Sequence, residues 1–294
     1  MPRITSYTAV GQSQGKTALA DADVFAVDGI NAVRKITAKE LANASIDKFQ
    51  KMSSSKPYGK SCFYRGANLG SGATFLDAST AAQRAAIANG TFEGLFIGDY
   101  WTVNNRLYRI ADFDYWLHSG DTDFNTHHVV LLPDSSFGNG QMNSTNTVVG
   151  AYVGSDMYNN ASSVLNTARN TIANDFGGYL AQHRVYLPNA ITGNAQSAGA
   201  WYDSTVELMN EKMVYGTFIR CCKNNGVYLY TVDKDQLALF QLNPAMVNLR
   251  YYYWLRDVVY ATYFALVDGS GGASNGNASG SCGVRPVFPV KGTA

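Results

Sequence analysis

Short stretches of alternating apolar and polar residues, punctuated by Gly, Asn and Asp, run through most of the chain and predict a protein built chiefly of small strands. Residues 21–28 alternate in this way, Gly29-Ile30-Asn31 marks a turn, and Val33–Ile36 resumes the pattern, which reads as a hairpin. Thr37-Ala38-Lys39-Glu40 matches a capping box and predicts a short helix through Ile46. The polar run Lys51–Pro57 then reads as a linker, so residues 1–57 are expected to form an attachment module and linker ahead of a main domain over 58–294. In that domain strands are expected at 94–98, 100–103, 106–112 and 127–132. Val164, Leu165, Ala168, Ile172, Phe176 and Leu180 recur at a helical period and predict a helix over 161–182. A second helix is expected over 203–214, capped by Asp203 or Ser204, with Val206, Leu208, Met209 and Met213 as its apolar members. Further short strands are expected at 227–232, 237–242, 251–255, 263–267 and 284–290. Helices in the middle and small strands toward the end predict an α+β fold rather than a doubly wound parallel sheet.

Composition narrows the functional classes. The 294 residues carry 23 basic and 22 acidic side chains, so no electrostatic case exists for a nucleic-acid partner. Charged residues make up 15% of the chain, against about 25% in an ordinary domain, and Gly (28), Tyr (19), Asn and Ser take their place. Apolar runs such as Val129–Leu132 are far shorter than the roughly 20 residues that cross a bilayer, and no basic-then-apolar leader opens the chain. Neither export nor membrane insertion is expected. Cys62, Cys221, Cys222 and Cys282 fit no zinc spacing and are expected to be reduced and structural, with a copper-binding or disulfide pair between Cys222 and Cys282 as the alternative.

Several motifs invite chemistry, and each has a structural explanation beside it. Gly11-Gln-Ser-Gln-Gly15-Lys16-Thr17 resembles a phosphate-binding loop but is one residue short and lacks the strand-to-helix context that gives such a loop its meaning. His127 and His128, with Asp114, His118, Asp121 and Asp123 upstream, offer imidazole and carboxylate ligands. Adjacent strand residues point to opposite faces, however, which favours a histidine satisfied by hydrogen bonds, and no metal is expected. Asp203, Glu207 and Glu211 at i, i+4 and i+8 stack on one face of the expected helix, either as glycosidase carboxylates or, more in keeping with their type, as a solvated face or partners of Arg220 or Arg256. Neither Gly-x-Ser-x-Gly nor His-Glu-x-x-His occurs. Sequons such as those at Asn143 and Asn277 are expected by chance in so Asn-rich a chain. No catalytic residue and no cofactor are expected.

The C-terminal tract differs. From Asp257 to Val290 there is no Lys, Glu, Gln, Met or Trp, the residues that codons ending in a pyrimidine do not encode and that adenine mutagenesis of AAC codons would not produce. Its Tyr/Ser/Gly/Asn mixture is also that of antibody paratopes, where tyrosine gives rigid amphipathic contact and small polar residues adapt their hydrogen bonds. The plainer alternative is a Gly/Ser-rich loop between two core strands.

Tyr253-Trp254-Leu255-Arg256, Phe264-Ala265-Leu266-Val267, Gly272-Ala273, Ala278-Ser279 and Gly283-Val284-Arg285-Pro286 together resemble the end of C-type-lectin-fold variable proteins, diversified by retroelements in phages and gut bacteria. Ile97–Trp101, Arg109–Asp114 and Trp201–Ser204 are similar to segments of gut-phage structural proteins, and residues 24–36 to N-termini of phage tail proteins. The resemblance implies a C-type lectin-like main domain with a variable region at about 250–283. It implies a phage receptor-binding or adhesin protein of the virion tail, found in the bacterial cytoplasm before assembly. Its partners would be a host surface protein or glycan and other tail proteins, in a homo-oligomer, commonly a trimer. The ligand-binding positions it implies are Tyr251, Tyr253, Asp257, Val259, Tyr260, Thr262, Tyr263, Asp268, Ser270, Ser274, Asn275, Asn277, Ser281 and Cys282. The triplets of calcium-dependent sugar-binding lectins are missing, which leaves calcium-mediated sugar binding unsupported. The rivals are a lectin-fold enzyme, either a glycan hydrolase or a formylglycine-generating type using Cys222 and Cys282, and a purely structural virion protein.

Overall fold

The computed structural model describes residues 63–294 together with the strands β1 (Val24–Gly29) and β2 (Ala32–Thr37). The chain divides into two compact units, Met1–Gly59 and Lys60–Ala294. In the first, β1 and β2 pair antiparallel from Val24↔Thr37 to Gly29↔Ala32. The expected helix after Thr37, the loop-like Gly11–Thr17 and Cys62 lie outside the described residues.

The second unit is α+β and dominated by sheet. It begins with β3 (Asn68–Gly72), α1 (Phe75–Ala78), α2 (Ala81–Ala88), β4 (Tyr100–Val103), β5 (Arg106–Phe113), β6 (His128–Pro133) and β7 (Asn139–Gly140). The middle carries α3 (Asp156–Asn159), α4 (Val164–Phe176), the long strands β8 (His183–Thr192) and β9 (Ala195–Ser204), β10 (Glu207–Leu208), α5 (Glu211–Tyr215) and α6 (Ala238–Leu242). The chain closes with β11 (Tyr253–Tyr260), β12 (Tyr263–Val267), β13 (Ala273–Asn277), β14 (Cys282–Gly283) and β15 (Pro286–Lys291). One sheet has the order β10-β15-β6-β5-β4-β3, the second β13-β12-β11-β14-β7, and β8 pairs with β9 alone.

Local chemistry explains the element ends. Thr74 with Asp77, and Thr80 with Gln83, close capping boxes on α1 and α2. Asn104 and Asn105, at φ 47° and 61°, supply the left-handed pair of the tight β4–β5 turn, and Gly193-Asn194, at 56° and 74°, do the same between β8 and β9. The first sheet packs its buried residues against α1 and α4, where the Phe75 ring stacks on Phe176 at 5.3 Å and meets Trp101 edge-on at 5.2 Å. Tyr108, buried between Phe176 and Phe288, donates its hydroxyl to Asp175 Oδ2 at 2.8 Å.

The expected strands at 100–103, 106–112, 127–132, 251–255, 263–267 and 284–290 fall on β4, β5, β6, β11, β12 and β15, and the expected helix over 161–182 falls on α4, which Gly177 ends at φ 52°. Other expectations are corrected. Residues 94–98 form no strand beyond an isolated bridge from Ile97 to Tyr64; Gly94 and Gly98 are left-handed, and the buried Asp99 carboxylate gathers Arg65 and the N–H groups of Ala67 and Phe96 around it. The region 203–214 is not one helix. Asp203 and Ser204 end β9, Glu207-Leu208 pair with β15, and only Glu211–Tyr215 coils, capped by Asn210. Residues 237–242 are largely the single-turn helix α6 rather than a strand, a short apolar run whose periodicity does not distinguish the two. Among residues 227–232 there is no strand beyond an isolated bridge at Val227.

A buried polar hub ties the second sheet to the preceding chain. Arg256 on β11 donates Nη2 to Asp233 and Nη1 to the Leu208 carbonyl at 3.0 Å. Asp233 also receives the Asn210 amide at 2.8 Å, the Thr231 hydroxyl at 2.6 Å and the Trp116 indole N–H at 3.1 Å. Asp233→Ala leaves the guanidinium buried without its counter-charge, and a loss of about 3–5 kcal/mol in unfolding free energy is expected in urea melts. A loss under 1 kcal/mol would show that the pair does not hold the two parts together.

Candidate functional site

The hairpin β11–β12 carries most of the residues singled out by resemblance. Alternation along a strand predicts that every second residue faces outward, yet Tyr253 through Val258 are all buried, because both faces of this central strand are covered. Trp254 donates its indole N–H to the Gly140 carbonyl at 2.8 Å, and Tyr253 donates its hydroxyl to the Val247 carbonyl at 2.9 Å. Tyr253, at 0% exposure, and Asp257, at 3%, are therefore corrected from the surface set to the interior.

The remaining positions separate into two groups. At the hairpin tip, Tyr260 is 54% exposed, Val259, Thr262 and Tyr263 are half-buried, and Tyr263 pairs across the sheet with Asn277. Ala278 N–H donates to the Thr262 carbonyl, and the Asn146 amide donates to Asn277 Oδ1 at 3.1 Å, so the end of β13 is tied to the tip. At the opposite end lie Tyr251, Asp268, Ser270 and Ser274. Tyr251 accepts the Ser136 N–H on its hydroxyl at 2.6 Å. Asp268 takes the N–H groups of Ser270 and Gly272 and the Ser270 hydroxyl, which holds its carboxyl below the usual carboxylate range. Asn275 stands midway on β13, opposite the buried Ala265; Ser281 is exposed, and Cys282 is half-buried on β14 against Gly140. Gly276 faces the core, since a Cβ there would fall 2.8 Å from Leu266 Cδ2 and 2.9 Å from Trp254 Cη2.

Beside the tip the segment 217–231 packs against the end of β11: Cys222 N–H donates to the Val258 carbonyl and its thiol to the Val259 carbonyl. Together with β8 and β9 this segment lines a small recess of about 10 Å³, room for a single water, with Arg256 and Asp257 in its lining. Two of its lining rings, Tyr186 and Tyr230, meet each other and Trp201 edge-on, with centroids 5.3–5.9 Å apart. Burial, reinforced by the neighbouring Glu211 charge, pushes the Asp257 carboxyl up to about 7. Neither the recess nor its aromatic lining was legible beforehand; the signal was Tyr228-Leu229-Tyr230, read only as a strand.

The other candidate groups are placed in structural roles. Asp203 is an exposed partner of Arg184 at 3.3 Å. Glu207 is buried against Arg169 at 3.1 Å, the Tyr152 hydroxyl and the Ser204 hydroxyl. Glu211 accepts the N–H groups of Ile219, Arg220 and Cys221. The three carboxylates stand on three different elements and share no face, which removes the basis for a glycosidase pair. His127 pairs with Asp114 at 2.8 Å. His128 donates Nδ1–H to the Thr126 carbonyl and accepts the Trp116 N–H on Nε2, and burial holds it down to about 4. His183 lies against Trp116 at 4.4 Å with neither ring nitrogen hydrogen-bonded; burial and then Arg256 hold it down to about 3. Cys221, Cys222 and Cys282 are free thiols, so no disulfide joins Cys222 and Cys282, and burial pushes Cys282 up to about 11. Among the described residues no group of three or more His, Cys, Asp or Glu is placed to hold a metal, and no helix is long and apolar enough to cross a membrane.

No protein family, curated protein or solved structure matches this chain.

Since Asp257 binds its proton more tightly in the fold than at its ordinary 3.8, the associated stability is complete below about pH 4 and is lost as pH rises through 7. Asp257→Asn, which keeps the acceptor for the Glu211 N–H, is expected to melt closest to the parent at pH 4 and to gain on it progressively, standing several degrees higher at pH 8.5, where a change of about 1 kcal/mol moves a domain of this size by 2–4 °C. Calorimetry at both pH values checks this. The depressed histidines are common to both proteins and cancel in the difference.

Proposed function

We propose that this protein is a recognition protein of the receptor-binding or adhesin kind. In this reading the main domain is a C-type lectin-like scaffold carried on a phage tail, and its C-terminal hairpin tip meets a host surface protein or glycan. The observation that carries the reading is the contrast along one hairpin. Trp254–Val258 and Phe264–Val267 are buried, whereas Tyr260, Ala261, Thr262, Tyr263 and Asn277 stand at or near the surface at its tip. A rigid body with a tyrosine-bearing end loses little conformational entropy on binding, and multivalent display in a homo-oligomer compensates for a weak single site. Diversification by a retroelement would alter that end and leave the hairpin body in place.

Two measurements test this. The DNA beside the gene is expected to hold a near-copy of the codons for residues 250–283 that differs at adenines and lies next to a reverse transcriptase. In a binding assay on intact host cells, Tyr260→Ala with Tyr263→Ala is expected to lower capture at least tenfold, with the melting temperature within about 2 °C of the parent. Unchanged capture, with both tyrosines protected from solvent in the assembled particle, would instead favour a structural virion protein.

A further inference from the structure

Three of the four tryptophans are buried and spend their indole N–H inside the fold. Trp101 donates to Gln83 at 3.1 Å, Trp116 to Asp233 at 3.1 Å and Trp254 to the Gly140 carbonyl at 2.8 Å. Trp201 is the exception. It stands half-buried on β9, and its N–H has no partner among the described residues. An amphipathic ring left at the surface with its polar edge open is the kind of group that binding sites use as an anchor.

The hairpin around it is built to carry that ring. β8 and β9 pair only with each other, and alternation divides them into two faces. Val185 and Leu187 turn to the core. On the opposite face the register sets three rows: Arg184 across from Asp203, Tyr186 across from Trp201, and Pro188 across from Gly199. Gly199 gives the Tyr186 ring its seat, since a Cβ there would fall 2.6 Å from Tyr186 Cε1 and 2.7 Å from the Leu187 carbonyl oxygen. A glycine inside a strand weakens it, so its presence here goes with the ring laid over it. Tyr230, 58% exposed, leans on both other rings from the neighbouring segment. Beside the rings, Arg184 holds Asp121 through two bonds of 2.7 and 2.8 Å and Asp203 through one of 3.3 Å, so one cation is shared by two carboxylates. Asp203 uses only Oδ1 for this bond. Its side chain is 61% exposed, and Oδ2 takes no hydrogen bond among the described residues.

We propose that this face binds a neutral pyranose sugar, with the C–H face of the sugar on the Trp201–Tyr186–Tyr230 cluster and a hydroxyl donating to Asp203 Oδ2. The alternatives fit less well. An anionic ligand would meet two carboxylates whose one cation is already shared. Rings in direct contact, with centroids 5.3–5.9 Å apart, enclose no cage for an organic cation, and the recess next to Tyr186 and Tyr230 admits a single water, so a ligand lies across the rings. A protein partner needs about 800 Å² on each side, and three rings of about 150–250 Å² each, two of them half-buried here, offer far less. A pyranose needs one flat apolar surface with polar groups at its edge, which is what the two rows supply. The sugar is either a free monosaccharide or a unit of a glycan chain. This site stands apart from the hairpin-tip reading, since none of its residues falls within 250–283, and either proposal can fail alone.

The test is an NMR titration of the full chain with methyl β-D-glucopyranoside, the acyclic polyol sorbitol, cyclohexanol and the β-1,4-linked trimer cellotriose. Binding is read on the Trp201 indole N–H and on the backbone amides of β8 and β9. The glucoside is expected to bind with Kd on the order of millimolar, as suits so small a ligand. Sorbitol, which has the hydroxyls without the flat face, and cyclohexanol, which has the ring without the set of hydroxyls, are each expected to bind at least about fivefold more weakly. Trp201→Ala is expected to weaken the glucoside at least tenfold, since the stacking surface is lost. Asp203→Ala, at an exposed position, is expected to weaken it about three- to tenfold with the melting temperature within about 2 °C of the parent. Cellotriose binding at least tenfold more tightly than the glucoside assigns the site to a glycan chain, and equal binding assigns it to a single sugar. No shift with the glucoside up to roughly 100 mM, equal binding of sorbitol or cyclohexanol, or full binding by Trp201→Ala and Asp203→Ala overturns the proposal.

Discussion

Arg256 meets Asp233 where water is almost fully excluded, the two residues being 3% and 1% exposed. Taking both charges out of water costs several kcal/mol per ion, and the cost is offset only when geometry and additional hydrogen bonds complete the pair. Here Leu208, Asn210, Thr231 and Trp116 supply them, so three separate stretches of chain, at Trp116, at Leu208–Asn210 and at Thr231–Asp233, converge on the partners of one strand residue. Arg256 also donates its own backbone N–H to the Met209 carbonyl. Through this hub the hairpin β11–β12 acquires a fixed base, and the segment 217–233, nearly devoid of regular structure, acquires a fixed path.

The same hub sets the protonation of its surroundings. His183 and His128 both lie against the Trp116 ring, and burial keeps both imidazoles neutral, so they serve as flat, largely apolar spacers behind the ion pair. A charged His183 beside Arg256 would place two cations in one dry layer. On the other side, Asp257 and Glu211 approach each other as like charges, and the shared burial drives the Asp257 carboxyl toward its protonated form. One strand thereby carries a fully paired charge at Arg256 and, at the next residue, a carboxyl that burial drives toward its neutral form.

Strands with dense β-branched or aromatic character were legible in the chain: β5, β6, β11 and β12 announce themselves through Ile110, Val129-Val130, Trp254 and Phe264. The hairpin β8–β9 did not, although each of its strands spans ten residues, because Pro188, Gly199 and several alanines dilute any strand signal. Pairing with β15 overrode the helical period of Val206 and Leu208, and that override dissolved the imagined carboxylate face of Asp203, Glu207 and Glu211. Within the candidate recognition tract, resemblance placed the tip residues on the surface but misplaced Tyr253 and Asp257. Strand alternation marks two faces without telling whether a second layer covers the outer one, and here it is covered.

That burial limits how such a tract can vary. At Tyr253 and Asp257 a substitution acts on core packing and on a buried charge, so tolerance is confined to the ends of the sheet. The ends are separated by the length of β11, eight residues or roughly 23 Å at about 3.3 Å per step. A single sugar or short glycan reaches one end only, whereas a protein surface burying about 800 Å² per partner is wide enough to touch both. The tip carries the exposed Tyr260 and adjoins the aromatic recess, while the far end is knotted by the internal hydrogen bonds of Asp268 and Tyr251. Under the proposed reading a compact ligand would therefore meet the exposed side chains of the tip, since those at the other end are already committed to the fold.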